Sequence, residues 1–417
     1  MTRNDIISTA FNVWGRDLYR TTSLSQISDE LGVSKPALYR HFKDKDALLD
    51  AMNTFFYDDF SSSFTECFNK ALKADSEHSS YLILAQNLSE YFVRNIDIFV
   101  FSLFQANSGE SRRMIEKELL ARGIDFQKLR NIESSGVSYP PKLQLISATS
   151  LFFVAQFHHS IKNDTKREIP ESQIKLALSQ IEERITKGLG MNAETVAGID
   201  YETLEKHAAE GTKSRKGELS SLLKAVAEVV AEAGPWSASM DMIAKRSGLS
   251  KSGLYAHFKS KQDMMAQLFI TEFMEIINSA KAKIEFSEVF EDQLFLAIVS
   301  IADYLCSRPE ILVALDWIKT NRLDFGNEVP ARLYKVMKEI KVKSIENYDQ
   351  DMLVLVAQWI LFMIVNTLAL WPNEQKKEAS NTEHKKTEKW AKNAAGIPKE
   401  SFRVLFRFIA LGLEGLN

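Results

Sequence analysis

The chain has 417 residues, a net charge of −3 at pH 7, and 45% hydrophobic against 26% charged residues. That balance excludes a disordered or collagen-like chain and suits two to four domains of about 100–200 residues each. Near-neutrality also excludes a protein that coats nucleic acid along its whole length, so any such contact must be local. Cys67 and Cys306 are the only cysteines; they make neither a disulfide framework nor a zinc site, and they fit a reducing compartment.

From the N-terminus, Met1–Asp5 is polar and the turn that follows is amphipathic, so no signal peptide is expected. Ile6, Ile7, Ala10, Phe11 and Trp14 mark one helical face. Ser23 is a good N-cap, and Gln26 three residues on completes a capping box. The helix they open turns Leu24, Ile27 and Leu31 inward and stops at Gly32, where a left-handed residue is cheap. Ser34 is expected to cap a second helix over residues 35–41, and Pro36 is tolerated in its first turn. Leu38 and Phe42 anchor that helix, leaving Lys35, Pro36, Ala37, Tyr39 and Arg40 for its outer face. A short helix with exposed Lys, Tyr and Arg suits a DNA major groove. Lys43 and Lys45 follow at the start of the next helix, whose N–H groups are further phosphate donors.

Further along, the aromatic-rich run 91–104 is expected to be core rather than a cofactor box. Ile174, Leu176, Leu178, Ile181 and Ile185 are expected to share a helical face. Met352–Trp371 has the length and polarity of a membrane span, yet it is expected to be a helix buried inside a bundle, because a more polar version occurs earlier in the chain.

That earlier version is part of a repeat. Residues 32–45 return at 248–261 without a gap, at an offset of 216, matching at Gly32, Ser34, Lys35, Leu38, Tyr39, His41, Phe42, Lys43 and Lys45. The offset also carries Ile6 and Ile7 onto Leu222 and Leu223, and Ile27 onto Ile243. Echoes continue forwards: Tyr91 with Tyr304, Val154-Ala-Gln-Phe157 with Val356-Ala-Gln-Trp359, and Ile169-Pro with Ile397-Pro. The polar stretch 373–392 is expected to be a solvated insertion. No run of alternating strands is visible, so the expected fold class is all-α: two tandem copies of a three-helix head followed by a helical body.

Two-helix spacing with Ser-Lys-x-x-Leu-Tyr-x-His-Phe-x-x-Lys resembles the DNA-binding domain of the TetR family of transcriptional regulators, and the motif occurs twice. The resemblance is strong over about residues 5–50 and 221–266. It implies a helix-turn-helix head on a body that binds a small-molecule effector and dimerises, here as two protomers fused into an intrachain pseudo-dimer, with further self-association left open. Leu18 stands where the family usually has the Gly that Gly234 supplies in the second copy, Ala238 replaces the expected Thr, and Met242 lacks the capping-box side chain of Gln26. Pro36, Ala37 and Arg40 become Ser252, Gly253 and Ala256 at base-facing positions, while Lys35, Tyr39 and Lys45 recur as Lys251, Tyr255 and Lys261.

The implied DNA-binding residues are Ser34, Lys35, Pro36, Ala37, Tyr39, Arg40, His41 and Lys45, with Ser250, Lys251, Ser252, Gly253, Tyr255, His257 and Lys261. Tyr39 and Tyr255 are phosphate contacts or packed ring edges; Arg40 reads guanine or is solvated. His41 and His257 are partly buried rings bonded to backbone or phosphate rather than metal ligands. Residues 1–50 carry seven bases and seven acids, and residues 215–265 eight bases and five acids, so binding must rest on a few placed contacts. Phe104, Phe153, Gln156, Phe157, Trp317, Gln358 and Trp359 are candidates for an effector pocket, with core packing as the alternative.

The expected layout is a first head at 1–48, a body at 49–200, a linker at 201–216, a second head at 217–264 and a second body at 265–417. Near residues 143–161, 174–190, 352–371 and 402–416, the ends of the two halves are expected to join in four helices. No catalytic motif is present, so no enzyme, cofactor or metal is expected and no membrane partner. The expected function is ligand-responsive, sequence-specific binding of a double-stranded DNA operator, as a cytoplasmic repressor with an imperfect palindrome. The alternatives are a helical binding module whose heads no longer act, and one active head per chain with two chains paired.

Overall fold

Apolar residues at helical spacing become helices throughout the described residues. The computed structural model describes residues 2–17, 23–107, 111–130, 140–161, 169–209, 221–308, 311–312, 349–375 and 397–416; they form nineteen α-helices, with no strand among the described residues. Leu18, Trp317, the second half of the linker and most of the polar stretch after Asn373 lie outside them. Two compact units result, Met1–Val137 with Ser150–Glu183, and Ser138–Thr149 with Arg184–Asn417.

The first unit begins with α1 (Arg3–Asp17), α2 (Leu24–Glu30) and α3 (Lys35–Tyr39). The body follows with α4 (Lys45–Ala71), α5 (Glu77–Arg94), α6 (Ile96–Asn107), α7 (Ser111–Ala121) and α8 (Phe126–Arg130), then most of α9 (Lys142–Ile161) and α10 (Glu171–Lys187). Helix α4 is long because Leu48, Met52, Phe56, Phe60, Phe64 and Phe68 recur every fourth residue, making one stripe buried along its length. Asp44 caps its start and Ser76 caps α5, which packs beside it. Phe101, fully buried on α6, meets Phe11 at 4.9 Å, Trp14 at 5.3 Å and Phe56 at 6.1 Å between ring centroids. The first two of these edge-on contacts join α1 to the body, and each of the three is worth about 0.5–1.5 kcal/mol beyond its buried area. The aromatic run from Tyr91 to Phe101 is core, as its spacing implies. On α10, Leu176 is 60% exposed and Ala177 is buried in its place. Leu176 is two residues from buried Ile174, about 200° around the helix, so it cannot share that face.

The second unit holds α11 (Ala193–Ala197), α12 (Tyr201–Ala209), α13 (Ser221–Ser237), α14 (Met240–Ser247), α15 (Lys251–His257), α16 (Lys261–Ile284), α17 (Phe290–Cys306), α18 (Gln350–Gln375) and α19 (Lys399–Leu411), closed by a 3₁₀ turn over Gly412–Leu416. The repeat reaches its body: Tyr91 donates to Asp59 at 2.7 Å between α5 and α4, and Tyr304 donates to Glu272 at 2.8 Å between α17 and α16, each across 32 residues. Burial and the facing carboxylate raise the pKa of both phenols. In the second copy Arg308 adds a bond to Glu272 at 3.1 Å and lies over the Tyr304 ring.

The charged stretch that begins the linker is helical as α12 and packs on α17. Tyr201 sits edge-on to Phe295 at 4.9 Å, and the His207 ring stacks on Phe286 at 3.9 Å. Buried Glu205 accepts from Arg403 at 2.8 and 3.1 Å and pairs with Lys399 at 3.2 Å. Burial alone would raise the Glu205 carboxyl; those cations outweigh it and hold its pKa below the usual carboxylate value. Glu205 is therefore paired internally, while Glu202 and Lys206 of the same helix are exposed.

One stretch, Gln350–Ala369, is long and apolar enough to cross a membrane, and most of it is buried inside the protein. Trp359, Met363, Ile364 and Leu368 are fully covered. The Trp359 indole N–H donates to Thr149 of α9 at 3.2 Å. Beyond α10, the Leu189 N–H donates to Ile409 O at 2.8 Å and the Met191 N–H to Ala410 O at 3.1 Å. Two glycines permit this backbone approach. Gly188 has φ +56° and Gly412 φ +64°. A Cβ on Gly188 would strike Ile409 O and the Gly412 backbone; one on Gly412 would strike Thr186 and Ile185 O. Ile185-x-x-Gly188 and Ile409-x-x-Gly412 are thus the same motif, each touching the other, the reciprocal pattern of a two-fold contact.

Candidate nucleic-acid interface

In the first head Ser23 and Gln26 form the full capping box, with Ser23 N–H to Gln26 Oε1 at 2.6 Å and Gln26 N–H to Ser23 Oγ at 3.2 Å. Helix α3 is five residues long, not seven. The His41 and Phe42 amides both bond to Leu38 O, which tightens the last turn and turns Phe42 into the core. Leu38 and Phe42 are buried, while Lys35, Pro36, Tyr39 and Arg40 are exposed and Ala37 is half-buried. Ser34 sits at the N-cap without a side-chain cap bond. Pro36 has no N–H to offer, and the Ala37 N–H goes to the Ser34 carbonyl at 2.9 Å, so the expected cap does not form.

The second head repeats this geometry with different detail. Ser239 caps α14 through the Met242 N–H at 3.3 Å, and Gly248 turns the chain with φ +72°. Helix α15 keeps its full seven residues. Gly253 follows where Ala37 stands, and its N–H donates to Ser250 Oγ at 3.0 Å; that oxygen lies 3.1 Å from the Ser252 hydroxyl. Tyr39 and Tyr255, 51% and 48% exposed, project in both heads. His41 and His257 are exposed rather than partly buried, because the next residue, Phe42 or Phe258, takes the core position.

Cations are handled differently in the two copies. Lys251 Nζ pairs with Asp241 Oδ2 at 3.0 Å, which raises the ammonium pKa. Arg246 forks onto Glu232 and also reaches Glu228 at 3.2 Å, bracing α14 against α13. The first head carries Arg16 and Glu30 at the Glu232 and Arg246 positions, with the signs exchanged. Its counterpart of Asp241 is Ser25, and Lys35 makes no ion pair among the described residues. Lys45 is half-buried; burial pushes its pKa down and Asp46 opposes this. The start of α4 is not an open set of donors, since Asp44 Oδ1 accepts the Ala47 N–H at 2.7 Å. Lys261 opens α16, but its side chain lies outside the described residues.

A family model described as bacterial regulatory proteins of the tetR family matches residues 6–52 and again residues 222–268. The chain carries two TetR-family domains in tandem. Both matches cover a complete head, α1 to the start of α4 and α13 to the start of α16. Over 150 residues the chain is 34% identical to an uncharacterized HTH-type transcriptional regulator, YuxN, of Bacillus subtilis (strain 168); the match covers 36% of this chain and 50% of that protein. The chain thus spans half the length of this curated relative.

The effector-pocket candidates are more dispersed. Phe153, Gln156 and Phe157 are half-buried on α9, beside buried His158, whose Nε2 lies 2.7 Å from Phe92 O. On α18 Gln358 is half-buried, whereas Trp359 is core, bonded to Thr149 and overlain by Arg184. The side chains of Phe104 and Trp317 lie outside the described residues. Three pairings escaped the sequence reading: Asp241 with Lys251, Asp59 with Tyr91, and Glu272 with Tyr304. The 216 offset could have flagged the first, since it aligns Asp241 with an uncharged Ser25.

Proposed function

We propose that this tandem TetR protein is a sequence-specific regulator that binds a double-stranded DNA operator with both heads of one chain, as a cytoplasmic repressor relieved by a small-molecule effector. The reading rests on one observation above all: two complete heads turn the same Lys-x-x-x-Tyr pattern to solvent while differing at the base-facing positions 36, 37 and 40 and their counterparts 252, 253 and 256. Shared phosphate contacts with unlike base contacts call for two unlike half-sites. The reciprocal glycine contact supports a single-chain pseudo-dimer, since the motif that would pair two protomers is already paired within the chain. Relief by an effector requires unequal affinity for the DNA-competent and incompetent states.

Selection of bound duplexes from a random pool should return an imperfect inverted repeat. A perfect inverted repeat would reject two non-equivalent heads, and no selectable sequence would favour a binding module with silent heads. Tyr39→Ala with Tyr255→Ala should weaken operator binding about 30-fold, at about 1 kcal/mol for each lost phosphate bond. Unchanged affinity in a gel shift would show that neither phenol touches DNA. Mass measurement on the operator-free protein should give one chain per particle; two chains would favour the paired-chain alternative.

A further inference from the structure

The second head holds its own recognition lysine. Lys251 is the first residue of α15, and Asp241 stands in the first turn of α14. The carboxylate lies 3.0 Å from the ammonium, with both side chains more than half exposed. Asp241 is at home there, because the positive end of the α14 dipole favours an acid in the first turn. A phosphate approaching Lys251 must displace that carboxylate and then sit beside its negative charge. The first head has Ser25 at this place, so Lys35 faces no such competitor.

We infer that Asp241 is a specificity-determining residue that lowers the phosphate affinity of the second head below that of the first. The inference rests on the DNA-binding reading above. An ammonium on a flexible stem can leave one anion for another, so the pair restrains the head rather than blocking it. Its strength is that of an exposed ion pair, which sets the expected effect at a few-fold. The first head then binds with little sequence-independent hindrance. The second engages fully only where its base contacts or a nearby bound first head make up the difference. This divides the labour between two heads that share their phosphate-type residues.

The test uses the full chain and fluorescence anisotropy on a mixed-sequence duplex of about 40 base pairs, titrated from about 50 to 200 mM salt. To isolate the second head, Lys35→Ala and Tyr39→Ala silence the first. In that background Asp241→Ser should bind about two- to fivefold tighter. The slope of log K against log salt should steepen by nearly one, because one more cation is free to displace counterions. Asp241→Glu should leave both values unchanged. The reciprocal change, Ser25→Asp with Lys251→Ala and Tyr255→Ala silencing the second head, should weaken binding by a similar factor and flatten the slope. Both positions lie in the first turns of surface helices, and thermal unfolding checks that the folds survive. If the unsilenced chain binds with salt dependence but Asp241→Ser alters neither affinity nor slope, the inference falls and the DNA-binding reading stands. If neither chain binds DNA at any salt, both fall.

Discussion

Gly412→Ala is expected to destabilise the second unit by about 2–6 kcal/mol, combining about 1–3 for an alanine at φ +64° and ψ −138°, a conformation nearly confined to glycine, with about 1–3 for forced overpacking. Gly412 adopts φ +64°, and its Cβ would enter the backbone of Thr186 and Ile185. Backbone cannot swing aside as a long side chain would, so the two chain segments must separate. Separation would also strain the bonds from Leu189 to Ile409 O and from Met191 to Ala410 O. Gly188→Ala should cost a similar amount, since it meets Ile409 O and Gly412 from the opposite side. Gly248→Ala is the control: its φ is +72°, yet nothing lies within 4 Å of the added Cβ. It should lose only the conformational part, about 1–2 kcal/mol. Differential scanning calorimetry reads all three. Equal losses for Gly412 and Gly248 would show that the close approach carries no energy.

Arg308→Ala should cost about 3–5 kcal/mol, because it removes a cation bonded to a buried carboxylate. Glu272 is 1% exposed and Arg308 is 11% exposed at the side chain. Tyr304 still donates one hydrogen bond, but a neutral donor does not balance a buried charge. Glu272→Gln in the Arg308→Ala background should recover much of the loss, since it removes the charge while keeping an acceptor for Tyr304. Chemical denaturation of the single and double variants gives the coupling. A double variant no more stable than Arg308→Ala would mean that lost packing, and not the stranded charge, sets the cost. The equivalent bond in the first unit lacks this vulnerability, because Asp59 is only half-buried.

The two heads were legible because their signals are local. A capping box, a turn glycine and anchors four residues apart are contained in about twenty residues, and an exact offset of 216 repeats them. The burial of Leu38, Phe42, Leu254 and Phe258 follows that pattern. Local rules also failed in local ways. The cap expected from Ser34 is absent because the Ala37 N–H that would serve it, as the Gly253 N–H serves Ser250, bonds to the Ser34 carbonyl instead. The helix expected through His41 stops at Tyr39 because its last turn tightens. Leu176 is as apolar as Ile174, but its angular position on α10 turns it to solvent.

By itself, the sequence determined an all-α chain, a duplicated head and which side of each recognition helix meets solvent. These follow from periodicity and capping within a turn or two of each residue. Packing of distant segments sets the rest: the charged start of the linker is a docked helix, Asp241 holds Lys251, and Gly188 and Gly412 let the backbones of 185–188 and 409–412 approach. Each of these depends on partners 10 to 224 residues apart, as Lys251 with Asp241, Arg403 with Glu205, and Gly412 with Gly188. A lysine, a glutamate or a glycine looks the same in sequence whether solvent or such a partner faces it. What separates the two cases is where the partner lies, and for Glu205 also the desolvation that goes with it; both exist only once separated segments have packed.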